Sequence, residues 1–313
     1  MTISKAAEFL QSNNNYLIIC HKSPDGDTIG SGFALCYALR DSGKNANVVC
    51  HDTFSKRFDY IYESYKPKSF KIQNYITVDI AASQLMGGNY EEFASHVALC
   101  IDHHPSNSKF ARNLLLDVNA AATCEIIYKL ILKMNVKMTK QIAQCLYTGI
   151  ATDTNCFRYS NTTQMSHKIA AKLIDTGIDI FTINRTMFDI KSIARMRIDF
   201  EVFKAMEFYF DAKCAVIKIT QKLLDKHKIH ESEIEGITAM TRQVEGVEIG
   251  VMLRERENGE VKASVRTSQL YNACEICKVF GGGGHIRAAG CLFESDIKTA
   301  QKQILEEIEK VLK

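Results

Sequence analysis

The sequence predicts an α/β protein in which a doubly wound, mainly parallel sheet is joined by a helical linker to a smaller α/β domain. Two observations carry this prediction. Short apolar runs alternate with segments of helical periodicity over the first half of the chain, a pattern typical of parallel sheets. Beyond residue 208, strands with alternating apolar and polar residues and turn signals appear instead. We therefore expect domains at residues 1–182 and 208–313, with a linker helix over residues 183–207.

The N-terminal strands are predicted from short continuous apolar runs, which are typical of strands buried on both faces. These runs lie at residues 16–20, 48–50, 75–78, 97–101 and, more weakly, 114–116. Apolar residues at helical spacing follow the first run and recur between and after the others. The predicted helices lie at residues 28–40, 56–65, 125–134, 139–147 and 166–177, and a long helix over 183–206 would bridge the domains.

The C-terminal domain has a different pattern. We predict strands at residues 214–219, 248–253 and 261–266, and the last two are joined by Asn258-Gly259, a hairpin turn signal. A run of glycines, Gly281 to Gly284, then precedes His285. A charged amphipathic helix over residues 296–313 follows. The pattern therefore predicts that this domain also combines helices and strands.

Composition excludes several classes of protein. The 313 residues are 46% hydrophobic and 24% charged, as in ordinary globular proteins. No apolar run reaches the roughly 18 residues of a membrane helix, and the polar N-terminus lacks a signal-peptide core. We therefore expect a cytoplasmic protein with no membrane partner. The formal net charge of +3 gives no global basic field for long duplex nucleic acid, and it favours a small anionic substrate. The sequence leaves open whether the chain forms a homodimer.

Eleven cysteines are present, an odd number, and most of them lie inside apolar runs. This distribution indicates buried, reduced thiols in a reducing compartment rather than disulfides. Cys274 and Cys277 form a single CxxC pair with no second pair. A lone pair of this kind gives little support for a zinc or redox site.

Polar, potentially metal-binding side chains follow the predicted strands at the points where the strands end. In an open α/β sheet the carboxyl ends of the strands border the crevice in which ligands bind. Asp153 lies in a predicted polar loop, residues 151–155, and we expect it to enter the same crevice. The complete set is His21, Asp25, Asp27, Asp79, Asp102, His103, His104 and Asp153.

This set predicts a two-metal centre. Five carboxylates so close together would repel one another unless cations were bound. Imidazole and carboxylate ligands without thiolate suit Mn²⁺ or a similar ion, whereas Mg²⁺ sites usually keep more water. Two ions about 3.5–4 Å apart generate a hydroxide and clamp the oxygens of a phosphoryl displacement.

Each group by itself has a simpler explanation. Asp25-Gly26-Asp27 is more often a turn, Asp79 or Asp153 can cap a helix, and His103 or His104 can be an ordinary strand-end histidine. Four such groups after successive elements of one domain are hard to obtain by chance. The joint occurrence therefore favours metal binding.

Five short motifs resemble those of the DHH phosphoesterase family, and most closely its nanoRNase / 3′-phosphoadenosine 5′-phosphate (pAp) phosphatase branch. The first four are His21-Lys22-Ser23-Pro24-Asp25-Gly26-Asp27, Val78-Asp79, Asp102-His103-His104 and Thr152-Asp153-Thr154. The fifth, Gly282-Gly283-Gly284-His285 followed by Ala288-Ala289-Gly290, is similar to the signature of the DHH-associated C-terminal domain. The likeness spans nearly the whole chain.

The resemblance implies a role for each residue. One metal ion would be held by His21, Asp25 and Asp79, and the other by Asp27, Asp79, His103 and Asp153, with Asp79 bridging. His104 would contact the substrate phosphate and Asp102 would orient the histidines. The substrate's far phosphate would be received by Arg266, the amides of Gly283 and Gly284, and His285. Arg158 is a further candidate for phosphate contact.

The resemblance also implies a function. We expect a hydrolase that uses two Mn²⁺ ions to cleave short oligoribonucleotides and pAp, with the active site in the cleft between the domains. An alternative on the same scaffold is a phosphodiesterase for cyclic or linear dinucleotides, such as cyclic di-AMP or pApA. An inorganic pyrophosphatase is less favoured, because pyrophosphate needs no glycine-rich adenosine-side pocket. A nucleotide-binding sensor without catalysis is the non-enzymatic alternative, but no metal ligand is missing here.

Overall fold

The structure is a computed structural model that describes residues 1–229, 231–234 and 236–312. It divides into two compact units, Met1–Ile190 and Lys191–Lys313. Both units combine helices with a sheet, so the predicted α/β class is confirmed. No helix within these described ranges is long and apolar enough to cross a bilayer.

The first unit contains a five-stranded sheet in which all strands are parallel. Its strands are β1 (Tyr16–Ile19), β2 (Ala46–Val49), β3 (Asn74–Val78), β4 (Val97–Asp102) and β5 (Leu114–Leu116). The order is β2-β1-β3-β4-β5, so the chain reverses its direction of winding between β1 and β3. Such a switch point opens a crevice at the carboxyl ends of the two strands.

Helices and short turns cover both faces of this sheet. Side chains alternate along β1, so Tyr16 and Ile18 join the large core while Leu17 and Ile19 join a smaller one with Met86. The predicted helix at 56–65 is shorter than expected, a 3₁₀ turn followed by a single α-helical turn. The helices are α1 (Ile3–Ser12), α2 (Gly26–Asp41), α3 (Asp59–Tyr62), α4 (Gly88–Glu91), α5 (Thr123–Lys133), α6 (Lys140–Asp153), α7 (Gln164–Ile174) and α8 (Ile180–Asn184).

The long helix predicted over residues 183–206 is wrong as a single element. A π-helical turn, Arg185–Asp189, follows α8, and Ile190 then leaves the helical conformation with φ −81° and ψ 128°. A new helix, α9 (Ile193–Lys204), begins after Ser192, whose side chain accepts a hydrogen bond from the amide of Arg195. The apolar periodicity continues through this break, so periodicity alone predicts one long helix. The boundary is marked by the capping residue instead.

The second unit contains a six-stranded mixed sheet. Its strands are β6 (Glu207–Tyr209), β7 (Cys214–Ile219), β8 (Ile249–Glu255), β9 (Val261–Thr267), β10 (Gly283–His285) and β11 (Ala288–Phe293). Their order is β10-β11-β9-β8-β7-β6, with only the β7–β8 pair parallel. The helices after α9 are α10 (Gln221–His227), α11 (Ala273–Lys278) and α12 (Ile297–Leu312). Helices α11 and α12 pack on the sheet, and Ile276 and Ile304 lie in the same core as Val251 and Val265.

All eleven cysteines are free, and most of them are buried, as the sequence predicts. Cys274 and Cys277 lie on α11, and Cys277 is part of the apolar core of the second unit. The CxxC pair is therefore explained by packing.

Two glycines allow α2 and α6 to pack very closely. A Cβ atom at Gly30 of α2 would clash with the backbone oxygen of Cys145 on α6. A Cβ atom at Gly149 of α6 would clash with the thiol of Cys124 and lie 2.9 Å from a carboxylate oxygen of Asp27. This contact brings the first turn of α2 against the last turns of α6, and both turns carry predicted metal ligands.

We predict that Gly30→Ala destabilises the protein, because the added methyl meets a backbone carbonyl that cannot rotate away. Overpacking of this kind typically costs about 1–3 kcal/mol, which outweighs the helix propensity gained by alanine. The midpoint of urea unfolding measures the change. Gly283→Ala is the control, because nothing lies within 4 Å of its added methyl. Equal midpoints for Gly30→Ala and the wild type would contradict the packing argument.

Candidate active site

The carboxyl ends of β1, β3 and β4 place His21, Asp79 and Asp102 along one edge of the parallel sheet. Asp79 follows β3 directly and has φ +60°, a left-handed conformation that residues other than glycine seldom adopt. Its amide still donates to the backbone oxygen of Ile101 at 2.9 Å, which continues the sheet by one residue. The chain therefore turns sharply and directs the Asp79 carboxylate into the crevice at the switch point.

One cluster of potential ligands consists of His21, Asp25 and Asp79. The Nε2 atom of His21 lies 3.5 Å from Oδ1 of Asp25 and 3.6 Å from Oδ2 of Asp79. The Nδ1–H of His21 donates to the backbone oxygen of Lys22 at 2.8 Å, so Nε2 is the atom directed at the carboxylates. Asp25 caps α2 and accepts from the amides of Asp27 and Thr28.

A second cluster consists of Asp27, His103 and Asp153. The Nε2 atom of His103 lies 4.0 Å from Asp27 and 3.5 Å from Asp153. Its Nδ1–H donates to the backbone oxygen of Ala120 at 3.0 Å, which again leaves Nε2 directed at the carboxylates. Asp153 is the last residue of α6, so the polar loop predicted at residues 151–155 is wrong at this position. The helix extends further than predicted because residues 149–151 are buried and continue its packed face.

Asp79 connects the two clusters. Its Oδ2 faces His21, as described above, while its Oδ1 lies 3.7 Å from Nε2 of His103. The side chain is only 3% exposed, so water solvates its charge very little. The structure thus brings together all six residues that the sequence predicts as metal ligands, with Asp79 in the central position.

The separations within the clusters fit shared metal ions better than direct hydrogen bonds. Nitrogen–oxygen hydrogen bonds are about 2.7–3.2 Å long, whereas the distances between Nε2 and carboxylate oxygen in the two clusters are 3.5–4.0 Å. Two ligands at about 2.1 Å from one ion lie about 3.0–3.6 Å apart for angles of 90–120°. Three of the five separations, at 3.5–3.6 Å, fall in this range, whereas His103 lies slightly farther from Asp79 and Asp27, at 3.7 and 4.0 Å. The donor atoms suit divalent cations, and most of their separations are those of ligands that share one ion.

His104 and Asp102 form a separate pair beside Asp79. The Nδ1–H of His104 donates to Oδ1 of Asp102 at 2.7 Å, and Nδ1 lies 3.6 Å from Oδ1 of Asp79. Asp102 is fully buried and also accepts from the amide of His103 and, at 2.6 Å, from the side chain of Asn107. These contacts hold the Asp102 carboxylate rigidly, and it in turn orients the His104 ring.

The histidines of the site bind protons more readily than usual. Burial by itself lowers the pKa of each ring, but the neighbouring carboxylates outweigh it and raise all three pKa values above the ordinary histidine range. The leading carboxylate is Asp25 for His21, Asp79 for His103 and Asp102 for His104.

The carboxylates respond in opposite directions. Burial, followed by the charge of Asp79, raises the pKa of Asp27 to about 7. Burial and the charges of Asp27 and Asp25 also raise the pKa of Asp153 well above its usual value. Burial would raise the pKa of Asp79 as well, but the three histidines hold it below the usual aspartate range. Asp79 therefore ionises at a lower pH than Asp27 and Asp153.

Two of the predicted substrate-binding residues of the second unit, Arg266 and His285, share one row of its sheet. His285 of β10 is paired with Ala288 of β11, which is paired with Arg266 of β9. Paired residues point to the same face of a sheet, so His285 and Arg266 project from one face, two strands apart. Gly284 has φ +142°, and a Cβ there would clash with the backbone oxygen of Ala288. Gly283 is exposed and has open space around it.

Arg158 lies on a left-handed turn after α6, in which Asn155, Cys156 and Phe157 all have positive φ. Its guanidinium donates to the backbone oxygen of Asn155 at 2.9 Å and to the side-chain oxygen of Asn155 at 3.0 Å. These contacts fix the side chain at an exposed position. A role for Arg158 in phosphate contact stays a prediction.

Sequence analysis missed residues that support the clusters. The hydroxyl of Thr123 donates to Oδ1 of Asp79 at 2.9 Å, and Asn107 holds Asp102 as described above. The side-chain amide of Asn161 donates to the backbone oxygens of Ala121 and Asp153. A threonine near the start of a predicted helix is a capping signal, but it gives no sign that its hydroxyl contacts another strand end.

The chain resembles known proteins over its full length. A protein-family model described as the DHH family, N-terminal domain, matches residues 15–150, and one described as the DHHA1 domain matches residues 211–313. The bifunctional oligoribonuclease and PAP phosphatase NrnA of Thermus thermophilus is 32% identical, and the match covers 94% of this chain and 89% of that protein. A probable enzyme of the same name from Streptococcus mutans is 26% identical, with 97% of both chains covered.

A solved structure agrees with these matches. The crystal structure of an exopolyphosphatase-related protein from Bacteroides fragilis superimposes with a TM-score of 0.88 at 25% identity, and the match covers 98% of this chain and 95% of that one. The family expected from the sequence motifs is thus confirmed by two family models and by relatives that match almost end to end. The chain belongs to the DHH family of phosphoesterases and contains a DHH-family N-terminal domain followed by a DHHA1 domain.

Proposed function

We propose that this protein hydrolyses phosphoester bonds in short oligoribonucleotides and in pAp, with two divalent cations, Mn²⁺ by preference, held by the six clustered residues. The position of Asp79 is the observation that carries the proposal, because one buried carboxylate faces both a His21 cluster and a His103 cluster. The near full-length relatives named as oligoribonuclease and PAP phosphatase support the choice of substrates.

The two clusters, with Asp79 facing both, support the two ligand sets that the family resemblance implies. His21, Asp25 and Asp79 would hold one ion, and Asp27, Asp79, His103 and Asp153 the other. Bound divalent cations would supply Lewis acidity, lower the pKa of water and offset the charge of the substrate phosphate. The protein keeps the ligands in place through buried strand ends and through the close contact of α2 with α6.

His104 is the side chain best placed to act on the substrate directly. Because its Nδ1–H donates to Asp102, a contact with a phosphate oxygen or a leaving group would be made through Nε2. The raised pKa of His104 favours the protonated ring, which donates to an anion. Asp102 keeps the ring in that orientation through its contacts with Asn107 and His103.

In the second unit we propose that Arg266, Gly283, Gly284 and His285 bind a phosphate of the substrate. Arginine binds phosphate through paired N–H groups, and glycines allow backbone amides to approach an anion closely. The shared row of Arg266 and His285 supports this assignment. A substrate with two separated phosphates, such as pAp or a very short RNA, would be preferred over a single phosphate group.

The proposed substrates are tested by measuring product release from pAp, pApA, a five-nucleotide RNA, cyclic di-AMP and pyrophosphate in Mn²⁺. We expect turnover of pAp and of the short RNA. Asp79→Ala is the negative control and should abolish turnover while the fold persists. Cleavage of one dinucleotide alone would favour a signalling phosphodiesterase, and tight binding without turnover would favour a nucleotide sensor.

Metal binding should depend on pH, because protons and cations compete for the same atoms. Asp27, with a pKa of about 7, is largely protonated below neutral pH and must lose its proton to bind a cation. We therefore predict that Mn²⁺ affinity rises from pH 6 to pH 8 and that protons are released on binding at pH 7. Calorimetric titration in buffers of different ionisation enthalpy measures the released protons. An affinity that stays constant over this range would contradict the protonation argument.

Arg266→Ala should raise KM while kcat changes little, because a remote phosphate contact stabilises substrate and transition state alike. A hydrogen bond to a charged group contributes about 1.5–3 kcal/mol, so we expect KM for pAp to rise about 10–100-fold. Lys262→Ala is the matched control, because Lys262 is a basic residue four positions earlier on β9. An unchanged KM in the Arg266 variant would remove Arg266 from the substrate site.

A further inference from the structure

We propose that Thr123 is a positioning residue for the metal centre, and that it selectively supports the site formed by Asp27, Asp79, His103 and Asp153. Neither the sequence motifs nor the family resemblance points to this residue. The inference rests on the proposed metal-dependent function. Its basis is the short segment at residues 120–124, which leads into α5. This segment forms hydrogen bonds with three of the ligands and is linked to the fourth, Asp153, through the side chain of Asn161.

The first contact is with the carboxylate shared by both clusters. The hydroxyl of Thr123 donates to Oδ1 of Asp79, the oxygen that faces His103. Thr123 is fully buried and Asp79 almost so, which leaves little access for water to replace the hydroxyl. The hydroxyl therefore fixes the rotation of the Asp79 carboxylate and determines which lone pairs of Oδ1 remain for a cation.

The second contact is with Asp27. The backbone amide of Thr123 donates to Oδ2 of Asp27 at 2.6 Å, and the amide of Cys124 donates to Oδ1 at 2.9 Å. The first amides of a helix have no partner within the helix, and α5 directs two of them at one carboxylate. Asp27 is thereby held at both oxygens while Thr123 holds Asp79, so a single residue sets the separation of the two carboxylates.

The other two ligands are tied to the same segment. The backbone oxygen of Ala120 accepts from Nδ1 of His103 and so directs Nε2 towards the carboxylates. The side chain of Asn161 connects the backbone oxygens of Ala121 and Asp153 at 3.0 and 3.2 Å. The segment thus contacts three of the four ligands directly and is linked to the backbone of the fourth, Asp153, through Asn161. Thr123 is the residue of this segment whose side-chain hydroxyl donates to a ligand.

A hydroxyl in this position affects metal binding more than folding. Loss of an outer partner of a metal ligand typically lowers affinity about 10–100-fold. The loss acts first on the cluster that Oδ1 faces, because Oδ1 is the oxygen that the hydroxyl holds, and Oδ2 keeps its place beside His21.

The experiment is a calorimetric titration of the full chain with Mn²⁺, with kcat measured in parallel on pAp. Thr123→Val removes the hydroxyl and keeps the shape, and we expect the affinity of one of two sites to fall about 10–100-fold. Thr123→Ser restores the hydroxyl and should restore the affinity. Thr148→Val is the matched control, because Thr148 is fully buried and its hydroxyl bonds to Gln144 and Tyr60 rather than to a ligand.

The outcomes separate this inference from the proposed function. If the wild type binds Mn²⁺ and Thr123→Val binds both ions with unchanged affinity, the positioning role of Thr123 is overturned and the function stands. If Thr123→Ser fails to recover the affinity, the methyl group rather than the hydroxyl matters, and the inference is also wrong. If the wild type binds no divalent ion, the metal-dependent function itself fails. Should Thr123→Val not fold, Thr123→Ala, which adds no bulk, gives the same comparison.

Discussion

The arrangement of the first unit depends on a buried negative charge at the end of β3. Asp79 is almost completely buried, and the three surrounding histidines keep it ionised. Its neighbours Asp27 and Asp153 cannot ionise beside it at low energetic cost, so their pKa values are raised. Divalent cations bound between these carboxylates would relieve the repulsion. Charge and burial therefore support metal binding independently of any likeness to known enzymes.

Helix packing brings the remaining ligands to that charge. Strand ends supply His21, Asp79 and the Asp102-His103-His104 group. The other three carboxylates lie on helices or at the start of one: Asp25 caps α2, Asp27 lies in its first turn, and Asp153 ends α6. The glycine contact between α2 and α6 lets Asp27 and Asp153 approach the sheet edge from two helices at once. A similar close contact occurs in the second unit, where Gly284 of β10 lies against the backbone of Ala288 on β11, beside the row that contains His285 and Arg266.

A second layer of contacts converts this proximity into a defined geometry. Backbone oxygens of Lys22 and Ala120 select the same ring nitrogen of His21 and His103 for the crevice. Asp102 likewise orients the ring of His104. The first residue of α5, Thr123, donates hydrogen bonds to the carboxylates of Asp27 and Asp79 and so fixes their orientation. Most of these supporting groups are backbone atoms. Their positions depend on where the chain turns, so no particular residue type in the sequence reveals them.

The sequence by itself determined the α/β class, the five parallel strands and the six candidate ligands, because apolar runs and strand-end charges are local patterns. The tertiary structure decided which ligands share a cluster, since that depends on strand order and on the approach of α2 to α6. It also corrected two boundaries, the broken helix at Ile190 and the helical position of Asp153, where capping and burial override periodicity. The role of Thr123 was invisible in the sequence, because a hydroxyl acquires its partner only when segments 44 residues apart meet.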